Sequence, residues 1–415
     1  QMLKLIKFFL KILIQYPICL FFLMIIYLIR PIILIRIGIL SSWRMGHFAH
    51  DPEIYLANKN FYKTNSLDLI VNTKIISNYF LKKKWSKKIN FLYPKIGFPI
   101  FKINEFLINY FNFPKQHQLL FKSYDGNNLV EKSNQNILLN DEEKDDGWKI
   151  LRSIGVKKND NIVCLDVRDN AYLSFRFPGR NWSYQDSRDC DIQKFIPLTK
   201  FLNQKGYYVF RMGRKVNKKM NYSHEKYFEY CNSDIQSDFL DVFVASICDF
   251  VISTGTGWAA IPTFNFRKPA IYCNSLPVGE FLTHSKKIML STKIHYSKKL
   301  NRNLNLSEIM QKYAFSLYKI NKSLFDVMSE ELILKEHNEE ELLSIVKEFL
   351  KYKNLGFKRL DLKEKKIHEK FWQIYSNELE ILKKEYKNNF IHDNHKDFLS
   401  SISVEFVKKN EFLIQ

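Results

Sequence analysis

Residues 249–273 read DFVISTGTGWAAIPTFNFRKPAIYC. The apolar run Phe250-Val251-Ile252 has the composition of a buried strand. A loop of small residues follows, Ser253-Thr254-Gly255-Thr256-Gly257, and then a helical stretch over 258–266. The basic pair Arg267-Lys268 leads into a second apolar run, Ala270-Ile271-Tyr272. Strand, loop, helix and strand in such short compass are the local grammar of a parallel α/β sheet. Small residues ahead of a helix let backbone N–H groups approach an anion, and the helix dipole favours negative charge there. The loop suits a diphosphate; it also suits a plain βα turn with a Ser or Thr N-cap.

Working upstream, 161–167 (NIVCLDV) is a strand with Arg168-Asp169 at its end. A long loop over 171–189 carries Arg176, Arg180, Asn181, Arg188 and Asp189, and a helix over 192–204 stops at Gly206. The strand over 207–212 runs out through Arg211 to Gly213 and Arg214, and a helix over 238–247 leads back to the opening stretch. Three strands therefore end in Arg168, in Arg211 and in the Ser253–Gly257 loop. In a parallel sheet those ends share one edge, so two guanidiniums and a row of N–H groups converge as a diphosphate cradle. Arg168 also has an ion-pair partner to hand in Asp169. Neither GxGxxG nor GxxxxGK[ST] is present. Downstream, the pattern predicts a helix over 307–317, a strand over 324–328 and a helix from Asn338 to Leu350. A charged helical tail over 351–415 follows, anchored by Trp372 and Phe398.

The first half repeats the alternation: strand 32–40, helix 51–62, strand 67–71, helix 74–84, strand 89–93, helix 100–111. Asp51-Pro52-Glu53 reads as a helix start, with an N-cap acid and Pro in the first turn. The loop before it, Trp43 to Asp51, lies at the carboxyl end of a strand, where such sheets place chemistry. It offers Arg44, Gly46, His47, His50 and Asp51; His47 is the natural base at neutral pH, while Asp51 and Glu53 read as helix-capping acids. Ahead of all this, 2–29 is apolar, with Lys4, Lys7 and Lys11 at its start and Arg30-Pro31 closing it. The uncharged part, 12–29, spans about 27 Å as a helix, near the hydrocarbon thickness of a bilayer. That predicts a single anchor or a deeply inserted monotopic helix. The boundaries follow: anchor 1–31, a first Rossmann-like domain 32–150, a second 151–350 and C-terminal helices 351–415.

Lys+Arg 64 against Asp+Glu 43 gives +21, spread through the chain rather than gathered in a patch. Without zinc-finger, RRM or helix-turn-helix spacing, this favours a membrane surface and phosphorylated substrates over nucleic acid. The six cysteines form no CxxC pair and several lie in apolar runs, as expected of reduced, buried thiols. No His/Cys set has metal-ligand spacing in the sequence, so no metal site is expected.

Several stretches together, IRIGILSSWRMGHFAHDPEIYL, CLDVRDNAYL, Arg180-Asn181, GYYVFRMG, SDFLDVFVASICDFVISTGTGWAAIPTFNFRKPAIY and LNLSEI, give the chain a familiar look. Over nearly its whole length it resembles a bacterial glycosyltransferase family found with surface-polysaccharide genes, distantly similar to fucosyltransferase-like enzymes. The resemblance implies a GT-B-like α/β fold: two Rossmann-type parallel-sheet domains facing a cleft, with an N-terminal membrane helix and a helical C-terminal tail. It implies that Arg168, Asp169, Arg211, Gly213, Ser253, Thr254, Gly255, Thr256 and Gly257 bind the diphosphate of a nucleotide-sugar donor. Arg44, Gly46, His50, Arg180 and Asn181 would face the acceptor, a glycan or lipid-linked glycan. His47, Asp51 and Asp166 would carry the chemistry; Asp166 stands where the family's HxR pattern has His. No cofactor is expected, the nucleotide-sugar being a substrate, and a metal-independent reaction on the cytoplasmic side of the inner membrane. The alternatives are a non-catalytic nucleotide-sugar-binding or membrane scaffold protein, and another anionic-donor transferase, for pyruvyl or glycerophosphate groups, on the same fold.

Overall fold

The computed structural model describes residues 15–315, 324–353, 360–386 and 397–415. The chain forms two compact units: unit 1 takes 1–123 and 133–138, and unit 2 takes 124–132 and 139–415.

Unit 1 is built on four parallel strands: β1 (Ile35–Leu40), β2 (Leu67–Asn72), β3 (Asn90–Leu92) and β4 (Gln118–Leu119), in the order β3-β2-β1-β4. Gly38 lets β4 close on β1, since a Cβ there would lie 2.7 Å from the Leu119 carbonyl oxygen. The helix Pro94–Phe111 lays Ile100 and Phe101 on the sheet against Ile37 and Val71. It begins six residues before the expected start at residue 100 because Pro94 sits comfortably in a first turn. The next helix over, Tyr79–Trp85, is shorter than the expected 74–84 and starts at the Asn78 cap, whose side chain accepts from the Leu81 N–H.

The first helix after β1 departs furthest from expectation. It runs Met45–Phe61, so Asp51 is not its N-cap and Pro52 lies inside it. An interior proline withholds the N–H owed to the carbonyl four residues back. Here that carbonyl is Phe48 O, and the buried Trp85 indole Nε1–H donates to it at 3.0 Å. A distant side chain thus replaces the missing backbone bond, and the sequence near Pro52 holds no sign of it. Trp85→Phe should cost about 1–3 kcal/mol in denaturant unfolding, because it leaves a buried carbonyl unpaired. Glu53, expected to be a helix-capping acid in a first turn, lies inside the helix instead, buried and accepting from Asn136 Nδ2 at 3.0 Å.

Asp68 on β2 ties β1 and the helix Met45–Phe61 together. Burial pushes its carboxyl up, but hydrogen bonds from Arg36 (2.6 and 2.8 Å), Lys59 (2.7 Å) and Tyr55 outweigh that and bring it to about 2. A carboxyl whose folded pKa is depressed stabilises the fold above its unfolded value near 3.8 and loses that contribution as pH falls through about 2. Unit 1 should therefore lose stability between about pH 4 and 2. Asp68→Asn should flatten that acid limb in a melting-temperature series.

The expected anchor falls partly outside the described residues, which begin at 15. Its described portion is the helix Tyr16–Leu28, 13 residues or about 20 Å long. Cys19, Leu23 and Ile26 are buried in the unit 1 core beside the sheet. Among the described residues, no helix is long and apolar enough to cross a membrane.

Unit 2 carries a seven-stranded, wholly parallel sheet. Its strands are β5 (Ile162–Asp166), β6 (Tyr208–Arg211), β7 (Tyr227–Phe228), β8 (Phe250–Ser253), β9 (Ala270–Ser275), β10 (Ile288–Thr292) and, after three strands of a separate sheet, β14 (Ser401–Ile402). The order is β14-β10-β9-β8-β5-β6-β7. The separate sheet is antiparallel, β12-β11-β13, from β11 (Ile294–Ser297), β12 (Arg302–Asn303) and β13 (Leu332–Lys335). Its strands are too short and polar to read from periodicity. The helices Asp141–Ser153, Leu306–Tyr313 and Glu339–Tyr352 each start at a capping box, Asn140/Glu143, Asn305/Glu308 and Asn338/Glu341.

Two expectations fail in unit 2 away from the strand ends at 166 and 253. The strand expected over 324–328 is part of a helix, Leu324–Glu331: Val327 and Met328 are buried together and Ser329 and Glu330 face out, which is helical rather than alternating order. The tail expected to be wholly helical holds the long helix Leu362–Tyr386 but also gives β14 to the sheet edge. Trp372 and Phe398 do anchor it, stacked at 4.8 Å. All six cysteines are free and buried.

Candidate functional site

In unit 2 the chain leaves β5 for β6 and β7 on one side of the sheet, then returns to β8, beside β5, and continues to β9 and β10 on the other. The loops leaving β5 and β8 therefore part in opposite directions, and the crevice at their carboxyl ends is where open α/β sheets bind ligands. Asp166 pairs with Ser253 at the ends of these strands. Arg168 follows the first and the Thr254–Gly257 loop the second. The two are stitched together: the Arg168 N–H donates to Thr254 Oγ1 at 2.9 Å, the Thr254 N–H donates to the Asp166 carbonyl at 3.2 Å, and Thr256 Oγ1 donates to the Asp166 carboxylate. Burial raises the Asp166 carboxyl to about 6, against the pull of the Thr256 hydroxyl and the Arg211 charge. The side chain expected to carry chemistry therefore braces the loop from beneath.

Arg168 does not pair with Asp169. Asp169 instead accepts from the Ala171 and Asn217 N–H groups at 3.0 and 2.8 Å, holding the turn into the short helix Ala171–Arg176. That helix and the 3-10 turn Ser183–Arg188 replace the expected featureless loop. The turn brings Asp189 to Arg168, with Oδ1 3.1 Å from Nε. Arg168 Nη2 is buried with no hydrogen-bond partner. Burial lifts Asp189 to about 6, with the Arg168 charge acting against it. Arg188 Nη2 donates to the Gly255 carbonyl at 2.8 Å, and Gly255 has φ +82°, a conformation that suits glycine.

Arg211 is the last residue of β6 and is 1% exposed. Its nearest carboxylate is Glu229, with Nη1 to Oε1 3.7 Å, and neither Nε nor Nη1 has a hydrogen-bond partner. Gly213 faces elsewhere, its carbonyl accepting from Gln236 Nε2 at 2.6 Å. The row of free N–H groups is also reduced. Ser253 Oγ accepts from the Gly255 and Thr256 N–H groups at 3.1 and 3.4 Å. The helix expected over 258–266 is a single π turn, Ile261–Asn265, whose five residues carry little dipole. Positive charge here comes from arginine side chains rather than from a helix end. Arg180 and Asn181 are exposed; Arg180 lies over the Phe177 ring at 5.9 Å, and Asn181 Oδ1 accepts from the Ser183 N–H at 2.9 Å.

No residue spacing points to Asp189 as the partner of Arg168, nor to what holds it. Lys293, 3% exposed, donates from Nζ to the Asp189 carbonyl at 2.6 Å and lies 3.9 Å from Glu336. Those residues are far apart in the chain and meet only through the sheet.

Unit 1 has a switch point of its own between β1 and β4. His47 follows β1, Ser123 follows β4, and His47 Nδ1 lies 2.9 Å from Ser123 Oγ. Because the helix starts at Met45, His47, His50 and Asp51 share a face at i, i+3 and i+4. Asp51 Oδ2 is 3.3 Å from His47 Nδ1, and Oδ1 is 2.7 Å from His50 Nδ1. Arg44 Nη1 is 3.1 Å from His47 Nε2. A guanidinium only donates, so Nε2 accepts and the proton of a neutral His47 sits on Nδ1, toward Asp51 and Ser123. Burial would raise Asp51, but the His50 charge and the His47 hydrogen bond outweigh it and bring the carboxyl to about 2. Gly46 lies in the first turn of this helix. His47, His50 and Asp51 also place one ligand atom each within 4.8 Å of one another, a spacing that can hold a cation, contrary to the expectation of no such set. The sequence hid it because a helix beginning at Asp51 would have scattered the three groups.

No protein-family model matches the chain, and no curated protein matches it. Among solved structures, it is similar to E. coli ADP-heptose LPS heptosyltransferase II at 11% identity and TM-score 0.36, over 62% of this chain and 90% of that one. It is similar to a family 9 glycosyl transferase from Veillonella parvula at 10% identity and TM-score 0.41, over 62% and 85%. For an iron-containing dodecameric glycosyltransferase from enterotoxigenic E. coli the values are 15% and 0.29, over 60% of each chain. Likeness at this level assigns neither activity nor substrate.

Proposed function

We propose that the chain is a glycosyltransferase that moves a sugar from a nucleotide-sugar donor to a hydroxyl of a growing surface glycan. One observation carries the reading: Arg168 and the Ser253–Gly257 loop leave adjacent strands at the switch point of unit 2, with a guanidinium nitrogen unpaired there. The diphosphate of a donor takes the place of the Asp189 carboxylate on Arg168. As the bond from the sugar to the diphosphate breaks, negative charge grows on the leaving oxygens. Arg168, with Arg211 behind it, offsets that charge without having to reorganise. Arginine charge serves here in place of a metal at the diphosphate.

In unit 1 we assign acceptor activation to His47. Asp51 fixes the imidazole with its proton on Nδ1, which leaves Nε2 to take the proton of an acceptor hydroxyl. Arg44 covers Nε2 in this structure, so the acceptor has to draw the guanidinium aside, and an anionic acceptor group would do so.

A thermal-shift screen of UDP-, GDP-, CMP- and ADP-linked sugars tests the reading, because a ligand that binds only the native state raises the melting point. A saturable rise with one nucleotide class is expected; no rise with any of them contradicts the proposal. Product mass then separates glycosyl transfer from transfer of a pyruvyl or glycerophosphate group.

A further inference from the structure

The helix Tyr16–Leu28 contains no charged residue. Its inner face, Cys19, Leu23 and Ile26, is spent on the unit 1 core, yet Phe21 is 63% exposed and Leu28 74%. The helix Pro94–Phe111 runs alongside: Gln15 Nε2 donates to the Lys95 carbonyl at 2.7 Å, and the Tyr27 hydroxyl donates to Asn104 Oδ1 at 2.6 Å. It too turns aromatics outward. Phe106 is 52% exposed, Tyr110 74% and Phe111 61%, with the Phe106 ring 4.9 Å from Tyr110 and 5.8 Å from Phe111. Single exposed apolar residues need no account, but neighbouring helices that both expose rings form a patch of the kind that marks an interaction surface.

The charges around the patch choose its occupant. Arg30 closes the first helix and Lys95 lies beside its start, both exposed. A second copy of the chain docked symmetrically on this face would gather like charges around the contact. An anionic headgroup layer would neutralise them. The inner face of this helix is already packed on protein, so it is not open to lipid on every side as a spanning helix would be. We propose that unit 1 docks on an anionic lipid surface through the outward faces of Tyr16–Leu28 and Pro94–Phe111, lying in the interface rather than crossing it.

Sedimentation of the full chain with phosphatidylglycerol-containing vesicles, and with phosphatidylcholine vesicles alone, tests this. Binding to the anionic vesicles is expected, weakened by salt and released by alkaline carbonate. Phe21→Asp and Phe106→Asp should each lower the partition coefficient by about tenfold, the effect of withdrawing one large apolar side chain. Both side chains are exposed, so circular dichroism and melting should match the parent. Lys95→Glu, which leaves the apolar face intact, should weaken binding to the anionic vesicles alone. Unchanged binding by all three variants overturns the proposal. So does pelleting that resists carbonate, which marks a spanning segment. A Phe21→Asp change that splits a dimer while vesicle binding persists overturns it in favour of a second copy.

Discussion

Arg168→Ala is expected to lower turnover of a nucleotide-sugar by about 10²–10³-fold, the effect of removing one preorganised donor to a charge that develops in the transition state. The melting temperature should stay near that of the parent. The reason lies in what the residue does besides. Its backbone N–H, which ties β5 to the β8 loop through Thr254, survives the substitution. The loss on the folded side is the pair with Asp189, whose carboxyl burial has already raised to about 6, so it can take a proton once the guanidinium has gone. Arg168→Lys should recover part of the activity, since it restores charge but not the planar fork. Full activity in Arg168→Ala would show that the switch-point crevice is not where the donor diphosphate sits.

The second large effect is expected at Asp51. Asp51→Asn keeps the shape of the helix face but replaces a carboxylate that accepts from His47 and pairs with His50 with an amide that can also donate. His47 then loses the partner that keeps its proton on Nδ1, and Nε2 ceases to be a reliable acceptor. Turnover should fall by about 10²–10⁴-fold, the range general base catalysis supplies. Donor-induced thermal shifts should be unchanged, since Asp51 belongs to unit 1 and the arginine crevice to unit 2. A matching loss of donor binding would mean that Asp51 holds the fold rather than the base. If the variant melts well below the parent, His47→Gln, at a half-buried side chain, separates the two roles.

These assignments were legible in the sequence to different depths. The β5 and β8 strands, the Arg168 position and the Ser253–Gly257 loop could be read because apolar runs and small-residue loops are local signals. That the two ends lie on one edge also followed, since a parallel sheet puts all its carboxyl ends there; that their strands are adjacent came only from the fold. What the sequence hid was contact at a distance. Asp189 replaces Asp169 as the partner of Arg168 because a 3-10 turn, with no periodicity to read, folds back on the strand end. The helix at His47 begins at Met45 because Trp85, about forty residues later, supplies the hydrogen bond that Pro52 withholds. Local rules place a helix start at Asp51-Pro52 for sound reasons, and tertiary structure overrides them. The Ser253 hydroxyl, read as part of an anion cradle, already holds two of the N–H groups that the cradle needed.

Titration calorimetry of nucleoside diphosphates into the full chain tests the central claim most directly. One diphosphate should bind per chain, with affinity falling at least about tenfold in Arg168→Ala, as expected for loss of a charge-assisted contact worth about 1.5–3 kcal/mol. Arg302→Ala, at a surface arginine paired with Glu308, should bind as the parent does. Equal affinity in the Arg168→Ala variant, or no binding by any nucleoside diphosphate, would contradict the account.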